Sequence, residues 1–266
     1  MTTISVETPD GAILKVHRSG MGDPLVLVSG LGGTGAFWKP AIDTIGSGVE
    51  FICFDQRGIG ASTRGTAPVT VGQLAEDVLT VCDALGLSRA SFLGHSTGGC
   101  IVQTVAANAP DRVERLALSA AWFRPSHYMT ALFEFRLKLL EIDAQAYAES
   151  AALLSYAPDW LEENWDMFDL ASAAPLPDSD LCQVIAERIR ALLSFDGSLQ
   201  LEHIKAPTTI LGTEDDMIVP AFLQKDLARH LPQAKLHMLE NGGHFYPVSR
   251  KERFAALVRE WMKQTA

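Results

Sequence analysis

Gly94-His95-Ser96-Thr97-Gly98 sets a serine between glycines at the spacing that a sharp strand-to-helix turn requires. In such a turn the central residue takes a strained backbone conformation, and the glycines let the helix pass close to the strand. The hydroxyl is then held out toward solvent. The flanks agree: Ala90-Ser91-Phe92-Leu93 reads as a short buried strand, and Gly99 to Ala107 reads as an apolar helix ending before Pro110. The bare pattern G-x-S-x-G also arises by chance, so context must decide its meaning.

A serine is a weak nucleophile near neutral pH and needs a general base, with a further group to orient that base. Of the seven histidines, His17 and His237 fall in expected strands, His203 and His230 in expected helices or helix ends, and His127 in a polar loop. His95 is expected to point away from the serine into the packing below. His244 differs, because it follows the turn Asn241-Gly242-Gly243 between the strand Lys235 to Leu239 and the amphipathic helix Glu252 to Lys263. Open α/β sheets build their sites on such loops at strand carboxyl ends. The acid comes from Thr209 to Pro220, where a strand runs into Glu214-Asp215-Asp216 before Pro220 restarts a helix. Asp216 is the candidate and Asp215 the alternative. A solvated turn with helix-dipole stabilisation accounts for two of the three carboxylates but not for the chain order Ser, Asp, His.

With two further motifs the chain resembles the α/β-hydrolases over nearly its whole length. Ser29-Gly30-Leu31-Gly32-Gly33 follows the first buried strand as the family's oxyanion loop does, and Asp55-Gln56-Arg57-Gly58-Ile59-Gly60-Ala61-Ser62 resembles its D-x-R-G-x-G-x-S turn. Within the family it is most similar to the hydrolases of pyrimidine breakdown that act on aminoacrylate or carbamate. The shared features are Ser29 to Gly35 leading to Trp38, Asp55-Gln56-Arg57-Gly58, and Tyr156-Ala157-Pro158-Asp159-Trp160. Enol-lactone hydrolases come next. The resemblance implies a triad of Ser96, His244 and Asp216, with backbone N–H groups of Leu31 and Thr97 meeting the oxyanion. The chain departs from the family at Ser29, more often histidine, and at Thr97, more often methionine or leucine. For a substrate like aminoacrylate, water activated by His244 and positioned by Ser96 is a second route.

A dinucleotide site competes for the same residues, since Gly30, Gly32 and Gly35 satisfy G-x-G-x-x-G and Asp55 ends the next strand. Three features weigh against it. Phe37-Trp38-Lys39-Pro40 delays the helix that should meet a pyrophosphate. A hairpin, Ile4 to Thr8 and Ala12 to Arg18, precedes the motif. And Ser96, Asp216 and His244 are left without a role. A ligand-sensing receptor of the hydrolase fold is the other alternative, although no exposed apolar or basic docking stretch supports it.

The 266 residues, 47% of them hydrophobic, suffice for one α/β domain with an insertion. A net charge of −10 repels phosphate backbones. The expected partner is therefore a small-molecule substrate, with no nucleic acid and no membrane, on a monomer or homodimer. Met1 to Glu7 lacks the basic and apolar parts of a secretory signal, so a cytoplasmic location is expected. Cys53, Cys82, Cys100 and Cys182 show no C-x-x-C pairing and read as buried structural thiols. No cofactor and no metal site is expected.

Strands are expected at Leu25 to Ser29, Glu50 to Phe54, Ala90 to Leu93, Arg115 to Ser119, Thr208 to Gly212 and Lys235 to Leu239, with Val71 to Ala84 helical. This alternation implies a mostly parallel central sheet with helices on both faces, and the resemblance makes it an α/β-hydrolase fold with a helical cap inserted after the sixth strand. The core would be residues 1–121 and 199–266, and the cap 122–198. Cap helices are expected at Tyr128 to Ile142, Gln145 to Ser155, Pro158 to Leu170 and Asp180 to Ser194, with a linker at Ala171 to Asp178. The cap holds Trp122, Trp160 and Trp165 of the five tryptophans and three of the four tyrosines, a composition suited to a site wall. Gly30, Trp122, Tyr156, Trp160 and Phe245 are the expected substrate contacts. Arg124, beside Trp122, is the cation expected to meet a substrate carboxylate, while Arg136, Arg188 and Arg190 read as solvated helix-face charges.

Overall fold

The computed structural model describes residues 2–173 and 177–263. The elements run β1 (Thr2–Glu7), β2 (Ile13–Gly20), β3 (Gly22–Val28), α1 (Lys39–Ile45), β4 (Gly48–Asp55), α2 (Val71–Ala84), β5 (Ala90–His95), α3 (Thr97–Asn108) and β6 (Val113–Ser119). There follow five helices, α4 (His127–Ile142), α5 (Ala144–Ser155), α6 (Pro158–Glu163), α7 (Asp166–Ser172) and α8 (Ser179–Ser194). The chain then returns through β7 (Thr208–Thr213), α9 (Ala221–His230), β8 (Lys235–Leu239), α10 (Tyr246–Ser249) and α11 (Lys251–Met262).

One eight-stranded sheet has the order β1-β2-β4-β3-β5-β6-β7-β8. The opening hairpin pairs antiparallel within itself and with β4, and every later pairing is parallel. The order reverses at β3, which lies between β4 and β5. The carboxyl ends of β3 and β5 thus sit side by side at the crevice where such sheets bind ligands.

Alternation along β3 explains why both faces are covered. Leu25 and Leu27 pack with Trp38, Phe254, Val258 and Trp261 on one side, and Val26 and Val28 pack with Leu74, Val78, Ile101 and Val105 on the other. A strand buried on both faces reads as a continuous apolar run rather than as an alternating one.

The helical insertion departs from expectation in three places. Pro158 to Leu170 is not one helix: it breaks between α6 and α7, where Asn164 Nδ2 donates to the Trp160 carbonyl at 2.8 Å, a local bond that competes with helix continuation. His127 lies not in a loop but at the start of α4, capped by the Ser126 hydroxyl. Of the expected linker, Ala171 and Ser172 end α7 and residues 174–176 lie outside the described residues. Cys53, Cys82 and Cys100 are buried while Cys182 is only partly so, and burial pushes the thiols of Cys53 and Cys82 up to about 12. No helix among the described residues is long and apolar enough to cross a membrane.

The loop after β4 is anchored by a buried ion-pair network. Arg57 Nε and Nη2 donate to the two oxygens of Asp77 on α2 at 2.6 and 2.5 Å, and Nη1 donates to Asp10 in the β1–β2 turn at 2.9 Å. Burial opposes the Arg57 charge, but the bonds to Asp77 and Asp10 outweigh it and raise its pKa. The Arg57 hydrogen bond in turn holds the Asp10 carboxyl well below the usual range. Removing one partner of a buried pair costs about 3–5 kcal/mol, so Arg57→Met should lower the urea-unfolding free energy by about that amount near neutral pH. A carboxyl depressed in the folded state stabilises above its unfolded value of about 3.9 and stops doing so as pH falls. The gap between wild type and variant should therefore narrow on acidification below about pH 4; a constant gap would contradict it.

Candidate active site

Ser96 sits between β5 and α3 with φ 57° and ψ −125°. A non-glycine residue held there needs its surroundings to enforce the strain. The enforcement is visible on both sides. A side chain at Gly94 would run into the Gly98 carbonyl, and one at Gly98 into the Val28 carbonyl, so helix and strand approach only because both positions lack a Cβ. Ser96 N–H donates to the Ser119 carbonyl at 2.8 Å, and Gly99 N–H donates back to the Ser96 carbonyl at 2.8 Å.

Asp216 and His244 meet from the loops after β7 and β8. His244 Nδ1 lies 2.9 Å from Asp216 Oδ2, with both side chains almost fully buried. The other oxygen of Asp216 accepts from the N–H groups of Ile218 at 2.9 Å and Val219 at 2.8 Å, which fixes the carboxylate before it meets the imidazole. Asp215 turns the other way and accepts from Gly242 and Gly243 at 3.0 and 2.9 Å. Glu214 pairs with Lys225 at the surface. The three adjacent carboxylates have three separate tasks, and only Asp216 touches His244. The His244 loop is also tied to the insertion, where Phe245 N–H donates to the Ser155 carbonyl at 2.8 Å.

The loop after β3 lies directly against the serine. A Cβ on Gly30 would stand 2.9 Å from Ser96 Cβ. Its carbonyls are held from behind: Gln56 Nε2 donates to Ser29 at 2.7 Å, and Arg188 on α8 donates to Leu31 at 2.8 Å and Gly30 at 3.0 Å. Arg188 also donates to Gln56 Oε1 at 2.7 Å. Burial pulls the Arg188 guanidinium down to about 10, which leaves it charged at neutral pH. The dinucleotide alternative fails on the same loop, because Asp55 spends its carboxylate on the N–H groups of Gly35 at 2.9 Å and Ala61 at 3.0 Å.

A cavity of about 520 Å³ brings Ser96, His244, Gly30, Leu31 and Phe245 together, roofed by Phe133, Arg136, Tyr147, Ser155, Leu181 and Ile185 of the insertion. No hydrogen bond joins Ser96 to His244, although both line this cavity. Thr97 N–H belongs to the first turn of α3, where amides have no intrahelical partner.

Four expected substrate contacts do not line it. Trp122 is buried in the core, where its carbonyl accepts from Gln103 Nε2 at 2.9 Å. Arg124 is exposed and stacks over Phe123. Tyr156 stacks on Trp160 at 4.7 Å and meets Phe245 edge-on, so the pair supports Phe245 from behind. His95 is buried in the packing, with Nδ1 2.8 Å from Ser119 Oγ and its ring centroid 5.1 Å from that of Phe37 and 4.8 Å from that of His244. Burial, reinforced by His244, lowers the pKa of His95 well below its ordinary value, so it remains neutral. The arginines read as solvated include the two that matter, Arg136 and Arg188, both buried. The signal was the apolar i±3 and i±4 neighbours of Arg136 on α4, Phe133, Leu132 and Leu140. Among the described residues no group of three or more His, Cys, Asp or Glu side chains could hold a metal ion.

Comparison with known proteins matches this architecture. The sequence profile of the alpha/beta hydrolase fold family covers residues 23–165. A putative carbamate hydrolase RutD of Caulobacter sp. strain K31 is 35% identical over 97% of this chain and 98% of its own. One from Caulobacter vibrioides strain NA1000 is 33% identical over 96% of each. A Pseudomonas aeruginosa hydrolase superposes with a TM-score of 0.87 at 26% identity, over 98% of each chain. The enol-lactonase of Burkholderia xenovorans LB400 does so with 0.88 at 22% identity, over 99% of this chain and 100% of its own. The chain belongs to the α/β-hydrolase fold family and is a hydrolase.

Proposed function

We propose that the protein is a cofactor-independent serine hydrolase of a small ester, lactone, amide or enamine-type acid, with Ser96, His244 and Asp216 as its triad. The observation that carries the reading is the 2.9 Å contact between His244 Nδ1 and Asp216 beside a serine held at φ 57°. With Nδ1–H donated to Asp216, Nε2 is the free base that takes the Ser96 proton. Ser96 Oγ then bonds to the substrate carbonyl carbon, and the N–H groups of Leu31 and Thr97 receive the oxyanion. As that intermediate collapses, the imidazolium returns its proton to the leaving group. Water, deprotonated by His244, releases the acid and restores Ser96. Losing one oxyanion donor costs about 3–4 kcal/mol of transition-state stabilisation.

Residues 122–198 act as a cap on a core of residues 1–121 and 199–266. Support comes from the insertion residues that roof the cavity. The curated relatives are named putative carbamate hydrolases, so carbamates and related small acids are among the first substrates to try.

A fluorophosphonate should label Ser96, located by peptide mass mapping, and Ser96→Ala should abolish labelling and lower kcat by about three to six orders of magnitude. Full turnover in Ser96→Ala overturns the reading. Asp216→Asn, which preserves shape while disturbing the tautomer, should lower kcat about ten-thousandfold. Asp215→Asn acts only through the loop and should cost less, so equal losses in steady-state kinetics would refute the assignment of Asp216.

A further inference from the structure

Arg136 projects from α4 onto the wall of the cavity that holds Ser96 and His244. It is buried, with only 3% of its surface exposed, and among the described residues it has no hydrogen-bond or ion-pair partner. Its one polar contact is with the face of Tyr147, whose ring centroid lies 4.5 Å from the guanidinium carbon. A cation–π contact offsets part of the cost of burying the charge but occupies none of the five N–H donors. The other two buried arginines are served differently. Arg57 is matched by Asp77 and Asp10, and Arg188 is bonded to two carbonyls and a glutamine.

No aspartate, glutamate or lysine lines the cavity, so Arg136 is the permanent charge among its described lining residues. A buried charge is normally paired, because leaving it bare forfeits hydration without return. The missing counter-charge at this position would arrive with the ligand. A guanidinium fork matches a planar carboxylate through two parallel N–H···O bonds. A doubly charged phosphate would meet only this one cation, which favours the carboxylate.

We propose that Arg136 forms a carboxylate subsite, so that the preferred substrate carries a free carboxylate separate from the bond being cut. The proposal rests on the hydrolase reading of the same cavity and narrows it from uncharged esters and lactones to half-esters, half-amides and lactone acids. Arg136 then supplies orientation: the carboxylate anchored at one point of the cavity sets where the carbonyl meets Ser96.

The test uses the monomethyl esters of succinic, glutaric and adipic acid against the methyl esters of butanoic, pentanoic and hexanoic acid. Titration calorimetry on Ser96→Ala protein should show at least one half-ester binding about a hundredfold more tightly than its uncharged partner, the scale of a buried charge contact. Arg136→Met in that background should remove the difference, and Arg136→Lys should keep part of it. If no half-ester binds more tightly than its uncharged partner, the subsite is overturned, whether or not the Arg136 variants fold. Wild-type turnover separates the two readings. Half-ester binding with neither hydrolysis nor fluorophosphonate labelling of Ser96 would strike down the serine-triad reading and leave the subsite standing, whereas hydrolysis of both series with equal kcat/KM would do the reverse.

Discussion

Helix α3 and strand β5 come together with no side chain between them. Gly94 faces the carbonyl of Gly98, and Gly98 faces that of Val28, so any larger residue at either position would drive helix and sheet apart. The left-handed backbone at Ser96 follows from that approach. A strained conformation persists only where packing over-determines it, and here the central strands β3 and β5 do so together. The adjacency of the Gly30 loop to Ser96 depends on the same contact.

Around that fixed point the site is assembled from several sources. Loops after β3, β7 and β8 contribute Gly30 with Leu31, Asp216, and His244, while the insertion contributes the roof. Two groups of bonds join the parts. Arg188 reaches from α8 to the Gly30 and Leu31 carbonyls, and Ser155 at the end of α5 accepts from the backbone beside His244. Beneath them, Ser119 Oγ links the neutral His95 ring to the Tyr246 hydroxyl at 2.6 Å, a polar contact within otherwise apolar packing.

Much of this was legible from residues alone. Apolar runs at β3 to β8, the helical period of Val71–Ala84 and the glycine pattern around Ser96 are local signals, and each is enforced by local sterics or by burial on a sheet. The choice between Asp215 and Asp216 was not local, because two adjacent carboxylates differ only in the direction that the turn gives them. The arginines mark the same boundary. Arg124 sits beside Trp122 in sequence yet lies on the surface, while Arg136 and Arg188, read as solvated, are buried by helices α4, α5 and α8 folding over the sheet. One-dimensional proximity to an aromatic residue carries little information about which face of a helix another segment will cover. The break between α6 and α7 was likewise hidden, since it depends on one asparagine amide turning back to a carbonyl.

The attachment of the roof has a mechanical consequence. Lifting the insertion as a rigid lid would pull on the Gly30–Leu31 loop through Arg188 and on the His244 loop through Ser155 at the same moment. The placement of both loops relative to Ser96 is thereby coupled to where the insertion sits, so a change that loosens α5 or α8 reaches the loops of Gly30 and His244 together.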